Sequence, residues 1–171
     1  MNSANFKFIS KIIEKPGLSK ITEKLNDCFG AEEYISHFFK QENLRDINGN
    51  AISIDELLKS EYIESVTHQP TNSEIPKYRK LEGFEIQGCL ANIMFRGSCH
   101  HEFFSNQTEA INVASSCISS IYQERAPYLS AYLFESSWSS WFIGEDIMDI
   151  TLLVFCPGRQ FWWLLCLTDT D

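Results

Sequence analysis

The sequence predicts an α+β fold, with N-terminal helices packed on a mainly antiparallel C-terminal sheet and one central amphipathic helix. Three observations lead to this fold: apolar stripes at helical spacing near the N-terminus, a long amphipathic segment after Asn106, and a closing run dense in β-branched and aromatic residues. A chain of 171 residues suits a single domain, residues 1–171, with a sizeable core.

Three apolar stripes predict consecutive helices within residues 1–40. The first stripe is broken by Pro16-Gly17, and Gly30 is placed to end the second helix at its C′ position. The stripes are, in order, Phe8, Ile9, Ile12 and Ile13; Leu18, Ile21, Leu25, Cys28 and Phe29; and Tyr34, Ile35, Phe38 and Phe39.

The middle of the chain mixes turns with short elements. Asn48-Gly49 predicts a turn or small hairpin within residues 43–52, and Ser53-Ile-Asp-Glu56 has the pattern of a capping box before a short helix. Residues 65–82 are polar and hold two prolines, so a mobile loop is expected there. From Gly83 to Gly97 the pattern favours one or two strands, through Phe84, Ile86, Leu90, Ile93 and Phe95.

The clearest helix begins at Asn106, a good N-cap with Glu109 three residues later. Its apolar face comprises Ala110, Val113, Ala114, Cys117, Ile118 and Ile121, and Pro127 is expected to end it. The rest reads as strands: Tyr128–Phe134, then a hairpin of residues 147–156 and 160–168 across Pro157-Gly158, in a sheet with much of both faces covered.

Charge is distributed unevenly along the chain. The formal net charge is −9, and residues 102–171 hold nine carboxylates but only two cations, Arg125 and Arg159. Such a chain repels nucleic acid and anionic lipid, so neither is expected as a partner. The N-terminus lacks the apolar run of a signal peptide, and no stretch approaches the roughly 20 apolar residues of a membrane span, so a cytoplasmic location is expected.

No motif predicts a cofactor or a metal. Cys99, His100 and His101 are adjacent, and neighbouring residues on a strand point to opposite faces, which disfavours a shared metal. A small enzyme using Cys99 and a histidine remains an alternative, although no thiol-protease motif flanks the cysteine. The six cysteines show no C-x-x-C pair, and most lie in apolar runs, so reduced core cysteines are expected.

The candidate binding residues lie in the acidic C-terminal stretch. Trp138 and Trp141 are either core residues or a partly exposed aromatic ledge, and the acidic residues are either a solvated face or a binding surface. On the binding interpretation, the carboxylates pair with lysines and arginines of a partner protein and the tryptophans anchor it. The candidate set is Glu135, Trp138, Trp141, Glu145, Asp146, Asp149, Asp169 and Asp171.

A strand from Asp149 to Cys156, a Pro-Gly turn and a final strand ending in Thr-Asp-Thr-Asp171 close the chain. With the Trp138-x-x-Trp141-Phe142 segment and the stretch 97–104, they resemble small bacterial immunity proteins, in particular those of contact-dependent growth-inhibition systems. The resemblance covers roughly residues 88–171 and implies a cytosolic, non-catalytic protein. A monomer or weak dimer is expected. Such a protein binds the basic C-terminal toxin domain of a delivered protein, often a nuclease, and blocks it. Some members of this class accept a toxin hairpin as an extra strand of their sheet.

Two other functions stay open on the sequence alone. An acidic adaptor, chaperone or regulatory subunit would present the same kind of surface to a different protein. The cysteine-dependent enzyme would instead need a thiolate with a lowered pKa. Toxin neutralisation is the favoured expectation, because interface-like features are present and catalytic motifs are not.

Overall fold

The computed structural model describes residues 6–8, 16–29, 33–41, 52–98, 106–142 and 148–169. In this part of the chain a six-stranded antiparallel sheet carries helices on both faces, so the α+β class is confirmed. The strands are β1 Phe6–Phe8, β2 Tyr34–Gln41, β3 Arg79–Glu82, β4 Ser130–Phe134, β5 Ile150–Cys156 and β6 Phe161–Leu167. The α-helices are α1 Pro16–Phe29, α2 Ile54–Leu58, α3 Glu61–Thr67, α4 Phe84–Arg96 and α5 Gln107–Tyr122, and a 3₁₀ helix spans Gln123–Tyr128.

The strand order is β1-β2-β6-β5-β4-β3. The predicted C-terminal hairpin is confirmed, since β5 pairs antiparallel with β6 from Ile150↔Leu167 to Cys156↔Phe161. On the far side of β6 lies β2, whose Tyr34 is also opposite Leu167. Strand β6 therefore joins the N-terminal pair β1 and β2 to strands β5, β4 and β3 in one sheet.

Alternation along each strand divides the core into two layers. Phe38 and Trp163 face the layer built with α1, α4 and α5, where their rings stack at 5.4 Å between centroids. Phe39 and Trp162 face the other layer, which α2, α3 and residues 138–142 close. Nearly every residue of β5 and β6 is buried, which explains why these strands read as continuous apolar runs.

The two helix caps predicted in the described residues are confirmed. Ser53 and Glu56 form the capping box of α2, with each side chain bonded to the other residue's backbone N–H. Asn106 caps α5, its Oδ1 accepting from the Glu109 N–H at 2.8 Å, and all six predicted face residues of α5 are buried. α5 ends at Tyr122, and Pro127 lies inside the following 3₁₀ helix.

Two predicted elements have the wrong type. Residues 34–39 form part of strand β2, not a third helix, because both faces of β2 are covered and its apolar residues can therefore be adjacent. Residues 84–96 form helix α4, not strands. Its buried positions are Ile86, Leu90, Ala91, Ile93 and Met94, which recur at helical spacing.

In the N-terminal segment, Pro16 and Gly17 are the first two residues of helix α1, as proline fits a first helical turn. A Cβ at Gly17 would lie 2.7 Å from the Ser116 carbonyl oxygen, so glycine permits the close approach of α1 to α5. Phe8 belongs to strand β1, while Ile9, Ile12 and Ile13, Gly30 and the turn at Asn48-Gly49 lie outside the described residues.

Residues 65–82 hold more regular structure than the sequence predicts. They include the end of α3 and all of β3, and the segment between them is bonded to residues 137–140. The Asn72 N–H donates to the Trp138 carbonyl at 2.8 Å, and the Ser140 N–H donates to the Pro70 carbonyl at 3.2 Å. These bonds attach the segment to the loop that follows β4.

The cysteines whose side chains are described are free thiols, namely Cys89, Cys117, Cys156 and Cys166. The last three are buried, as their apolar sequence surroundings predict. In the described part of the chain, no helix combines the length and the apolar character that crossing a bilayer requires.

Candidate functional site

Three predicted binding residues lie at the same end of the sheet, each next to the end of a strand. Phe134 of β4 lies opposite Thr151 of β5, so Glu135 and Asp149 extend from neighbouring strands at the same end. Asp169 follows β6 at that end too, because Leu167 pairs with Ile150. We call Glu135, Asp149 and Asp169 the acidic end.

Glu135 is the exposed member of the acidic end. A cation lies nearby, since Arg79 sits on the adjacent strand β3 opposite Leu133. Burial raises the pKa of the Cys89 thiol, the Arg79 charge lowers it and the Glu135 charge raises it, so both charges lie within range of that thiol. Arg79 therefore weakens the negative field near Glu135.

Asp149 is half-buried and accepts a hydrogen bond from the Thr168 hydroxyl at 2.8 Å. Burial raises the pKa of Asp149 above its ordinary value, and the bond from Thr168 offsets part of that rise. The ionised carboxylate is thus held where the protein disfavours its charge. A partner cation would relieve this cost, so Asp149 is the residue best suited to gain from an ion pair.

Asp149→Asn is expected to raise stability at neutral pH. Because the folded-state pKa of Asp149 lies above 3.8, the folded chain binds this proton more tightly than the unfolded chain, and stability falls as pH rises through that window. Asparagine keeps an acceptor for Thr168 and cannot ionise. Urea unfolding of both proteins at several pH values above 4 should give a difference that grows with pH and then levels off. A variant less stable than the wild type at neutral pH would contradict the expected sign.

Asp169 faces inward. The residue is only 5% exposed, and the neighbouring Thr168 N–H donates to the Glu33 carbonyl at 3.0 Å, which holds this part of the chain against the start of β2. The expectation that Asp169 stands in water is wrong. Its carboxylate belongs to the interior of the sheet end.

Trp138 is a core residue. It is fully buried, its indole Nε1 donates to Thr151 Oγ1 at 2.8 Å, and its ring meets Phe142 edge-on at 5.6 Å. Of the two interpretations that the sequence left open for Trp138, the core interpretation is confirmed and the partly exposed ledge is wrong, because the loop after β4 folds back and closes the second core layer with this ring.

Trp141 is the aromatic residue of the pair that keeps some exposure. Its ring lies edge-on to Phe142 at 5.0 Å, and its backbone N–H donates to Ser139 Oγ at 3.3 Å. The Ser139 hydroxyl in turn donates to the Pro70 carbonyl at 3.0 Å. This loop, which follows the acidic-end residue Glu135 along the chain, therefore presents a half-buried indole on a hydrogen-bonded backbone.

Several candidate residues lie outside the described part of the chain. These are Glu145, Asp146 and Asp171 of the binding set, and Cys99, His100 and His101 of the enzyme alternative. Among the described residues, no group of three or more histidine, cysteine or acidic side chains is arranged to hold a metal ion.

The sequence interpretation missed a second meeting of side chains. Arg125 precedes β4 and Arg159 lies in the β5–β6 turn, and both line one hollow at the end of the sheet opposite the acidic end. Antiparallel pairing of β4 with β5 brings the start of the first strand to the end of the second, so the predicted strand order along the chain already carried this signal.

Comparisons with protein-family models, with curated proteins and with solved structures gave no match.

Proposed function

We propose that this chain is an immunity protein, which neutralises a cognate toxin domain by covering its basic surface with Glu135 and Asp149 of the acidic end and with Trp141. The observation that carries the proposal is the placement of Glu135 and Asp149 on neighbouring strands at one end of the sheet, with the partly exposed Trp141 in the loop that follows β4. The ion pairs formed between described residues, Lys20–Glu109 and Lys80–Glu82, include neither of these carboxylates.

The negative charge of this surface would allow it to block a basic nuclease cleft. A nuclease cleft carries cations that attract phosphates, and an acidic protein at such a cleft excludes the nucleic acid by charge and by volume. Complementary charge mainly accelerates association, whereas a buried aromatic anchor slows dissociation. Glu135 and Asp149 would serve the first role and Trp141 the second.

The outer edge of β3 is poorly suited to accept a toxin strand. It has only four residues, and the outward Glu82 N–H donates to Glu85 Oε2 of the chain itself at 3.0 Å. Lys80 and Glu82 pair at 2.6 Å and place both signs of charge along the edge. Charges and occupied N–H groups protect sheet edges from pairing, which favours side-chain contact at the acidic end over strand addition at β3.

A different protein-binding role, as an adaptor or regulatory subunit, would use the same surface. The two functions separate by genetics, since an immunity gene lies directly after a toxin gene. Co-purification with the product of the adjacent upstream gene, followed by rescue of growth when both are expressed, supports toxin neutralisation. Binding without rescue would favour the adaptor.

The cysteine-enzyme alternative gains nothing from the described thiols. Burial raises the pKa of Cys117, and it raises the pKa of Cys166 to about 12, so both stay protonated and unreactive at neutral pH. Rapid selective alkylation of Cys99 near neutral pH would revive that alternative.

Glu135→Lys combined with Asp149→Asn is expected to slow association with the toxin domain by about three- to tenfold at low salt, with a flatter salt dependence. Glu23→Lys together with Asp55→Asn makes the same change in net charge at exposed positions in α1 and α2, and serves as the matched control. Stopped-flow association rates across a salt series would measure both. Equal slowing by the control pair would show that only net charge matters, which would remove the assigned role from the acidic end.

A further inference from the structure

An open hollow of about 540 Å³ lies at the end of the sheet opposite the acidic end. Its wall comes from the 3₁₀ helix after α5 and from the β5–β6 turn, and its lining residues are Gln123, Glu124, Arg125, Tyr128 and Arg159. The hollow therefore collects both cations of residues 102–171, a stretch that also carries nine carboxylates.

The Arg159 guanidinium is held in place. Its Nη2 donates to Gln123 Oε1 at 2.8 Å, which links the β5–β6 turn to the end of α5. The backbone on both sides of that bond is unusual, because Gln123 and Gln160 both have a φ of 56°. Non-glycine residues adopt a positive φ at a cost in free energy. The surrounding structure therefore holds the backbone at Gln123 and at Gln160, on the two sides of the hollow, in a defined conformation.

The Arg125 guanidinium rests on the same turn. A Cβ added at Gly158 would lie 2.0 Å from Arg125 Nη1, so only glycine leaves room for it there. Within the described residues neither arginine forms an ion pair, and Glu124, which shares the hollow, bonds to neither of them. Two guanidinium groups thus share one hollow with most of their donors unused.

We propose that this hollow is a binding site for a small phosphate monoester, whose phosphate group is bound by Arg125 and Arg159. One guanidinium fork satisfies the two oxygens of a carboxylate, whereas two forks match the greater number of acceptors and the nearly double charge of a phosphate. Tyr128 is 75% exposed and offers a flat ring beside the arginines, where the group attached to the phosphate would pack.

The ligand is a single phosphate compound and not a nucleic acid. A polyanion would meet the rest of a chain with net charge −9, whereas a small dianion feels mainly the charges within a Debye length of about 10 Å, where the two guanidinium groups outweigh the Glu124 carboxylate. The site lies at the other end of the sheet from the proposed toxin contact, so it does not depend on toxin neutralisation.

Titration calorimetry of the chain alone tests the site, with inorganic phosphate and phenyl phosphate as probes at constant ionic strength. Both probes should bind saturably with a Kd of about 1 mM or lower, and phenyl phosphate should bind more tightly because its ring packs on Tyr128. Arg125→Gln and Arg159→Gln should each weaken binding by about tenfold or more, as expected for loss of a charged hydrogen-bond pair. Tyr128→Ala should remove the advantage of phenyl phosphate over inorganic phosphate.

Two controls separate a built site from general attraction to cations. Arg96→Gln makes the same charge change at an exposed position in the last turn of α4 and should leave both affinities unchanged. Gly158→Ala leaves the charge unchanged but displaces the Arg125 guanidinium, so it should weaken binding several-fold. Equal binding by the wild type, Arg125→Gln and Arg159→Gln, or no saturable binding below about 10 mM, would overturn the proposal.

Discussion

Trp138→Ala is expected to lower the free energy of unfolding by about 3–5 kcal/mol. The fully buried indole fills the second core layer beside Phe142, and its loss would leave a cavity and remove the hydrogen bond that the Thr151 hydroxyl accepts. Urea unfolding followed by circular dichroism would measure the change, because tryptophan fluorescence itself is altered by the substitution.

Trp141→Ala is the matched control for this loss. Trp141 is only half-buried, and its backbone N–H, which a substitution keeps, makes the hydrogen bond to Ser139. Its removal should therefore cost clearly less stability and should instead raise the dissociation rate of the toxin complex. If Trp138→Ala left the free energy of unfolding unchanged and weakened the complex, the exposed-ledge interpretation of Trp138 would be restored.

Tyr122→Phe is expected to change stability in the opposite direction, raising the free energy of unfolding by about 1–2 kcal/mol. Tyr122 is fully buried and its ring stacks on Phe161 at 5.1 Å, yet among the described residues its hydroxyl has no hydrogen-bond partner. Burial also raises the pKa of this phenol well above its ordinary value, with Cys117 and Cys156 nearby. Phenylalanine keeps the stacked ring and removes the unsatisfied group.

Tyr34→Phe provides the comparison for that gain. The Tyr34 hydroxyl is exposed and donates to Asn26 Oδ1 at 2.8 Å, so its removal should leave stability unchanged or slightly lower. In thermal unfolding, Tyr122→Phe should therefore raise the Tm, whereas Tyr34→Phe should leave the Tm unchanged or slightly lower. A loss of stability in Tyr122→Phe would show that the buried hydroxyl makes a hydrogen bond in solution.

Helix α5 and the β5–β6 hairpin could be predicted from sequence because each carries two independent signals. α5 has both a capping residue, Asn106, and a face of six apolar residues at helical spacing. The hairpin has a Pro-Gly turn between two runs of β-forming residues. Agreement between a boundary signal and a periodic signal leaves little room for another element.

Strand β2 and helix α4 were predicted as the wrong type of element because their apolar residues alone fit either a helix or a strand. In β2, Phe38 and Phe39 enter different core layers, and adjacent apolar residues mimic a helical stripe. In α4, Phe84 is 68% exposed and belongs to no core, while the buried Ala91 and Met94 complete the helical face. Which aromatic residue is buried depends on tertiary packing, which no local pattern contains.

The candidate site likewise has features that the sequence predicts and features that depend on tertiary packing. The excess of carboxylates was visible from composition, and their placement at one sheet end follows from antiparallel pairing of β4, β5 and β6. The burial of Trp138 was one of two open interpretations and that of Asp169 was not predicted, since both depend on a loop and a strand end folding back onto the sheet.

The pairing of β2 with β6 determines when this protein can fold during its synthesis. Tyr34 and Leu167 are partners across the sheet, so strand β2 leaves the ribosome long before the strand it needs. Until β6 emerges, the apolar side chains of β2 have no neighbour on that side, and the nascent chain is exposed to aggregation. A ribosome stalled before Phe161 is translated would therefore carry an unfinished sheet, and protease resistance should arise only once β6 has emerged and paired with β2.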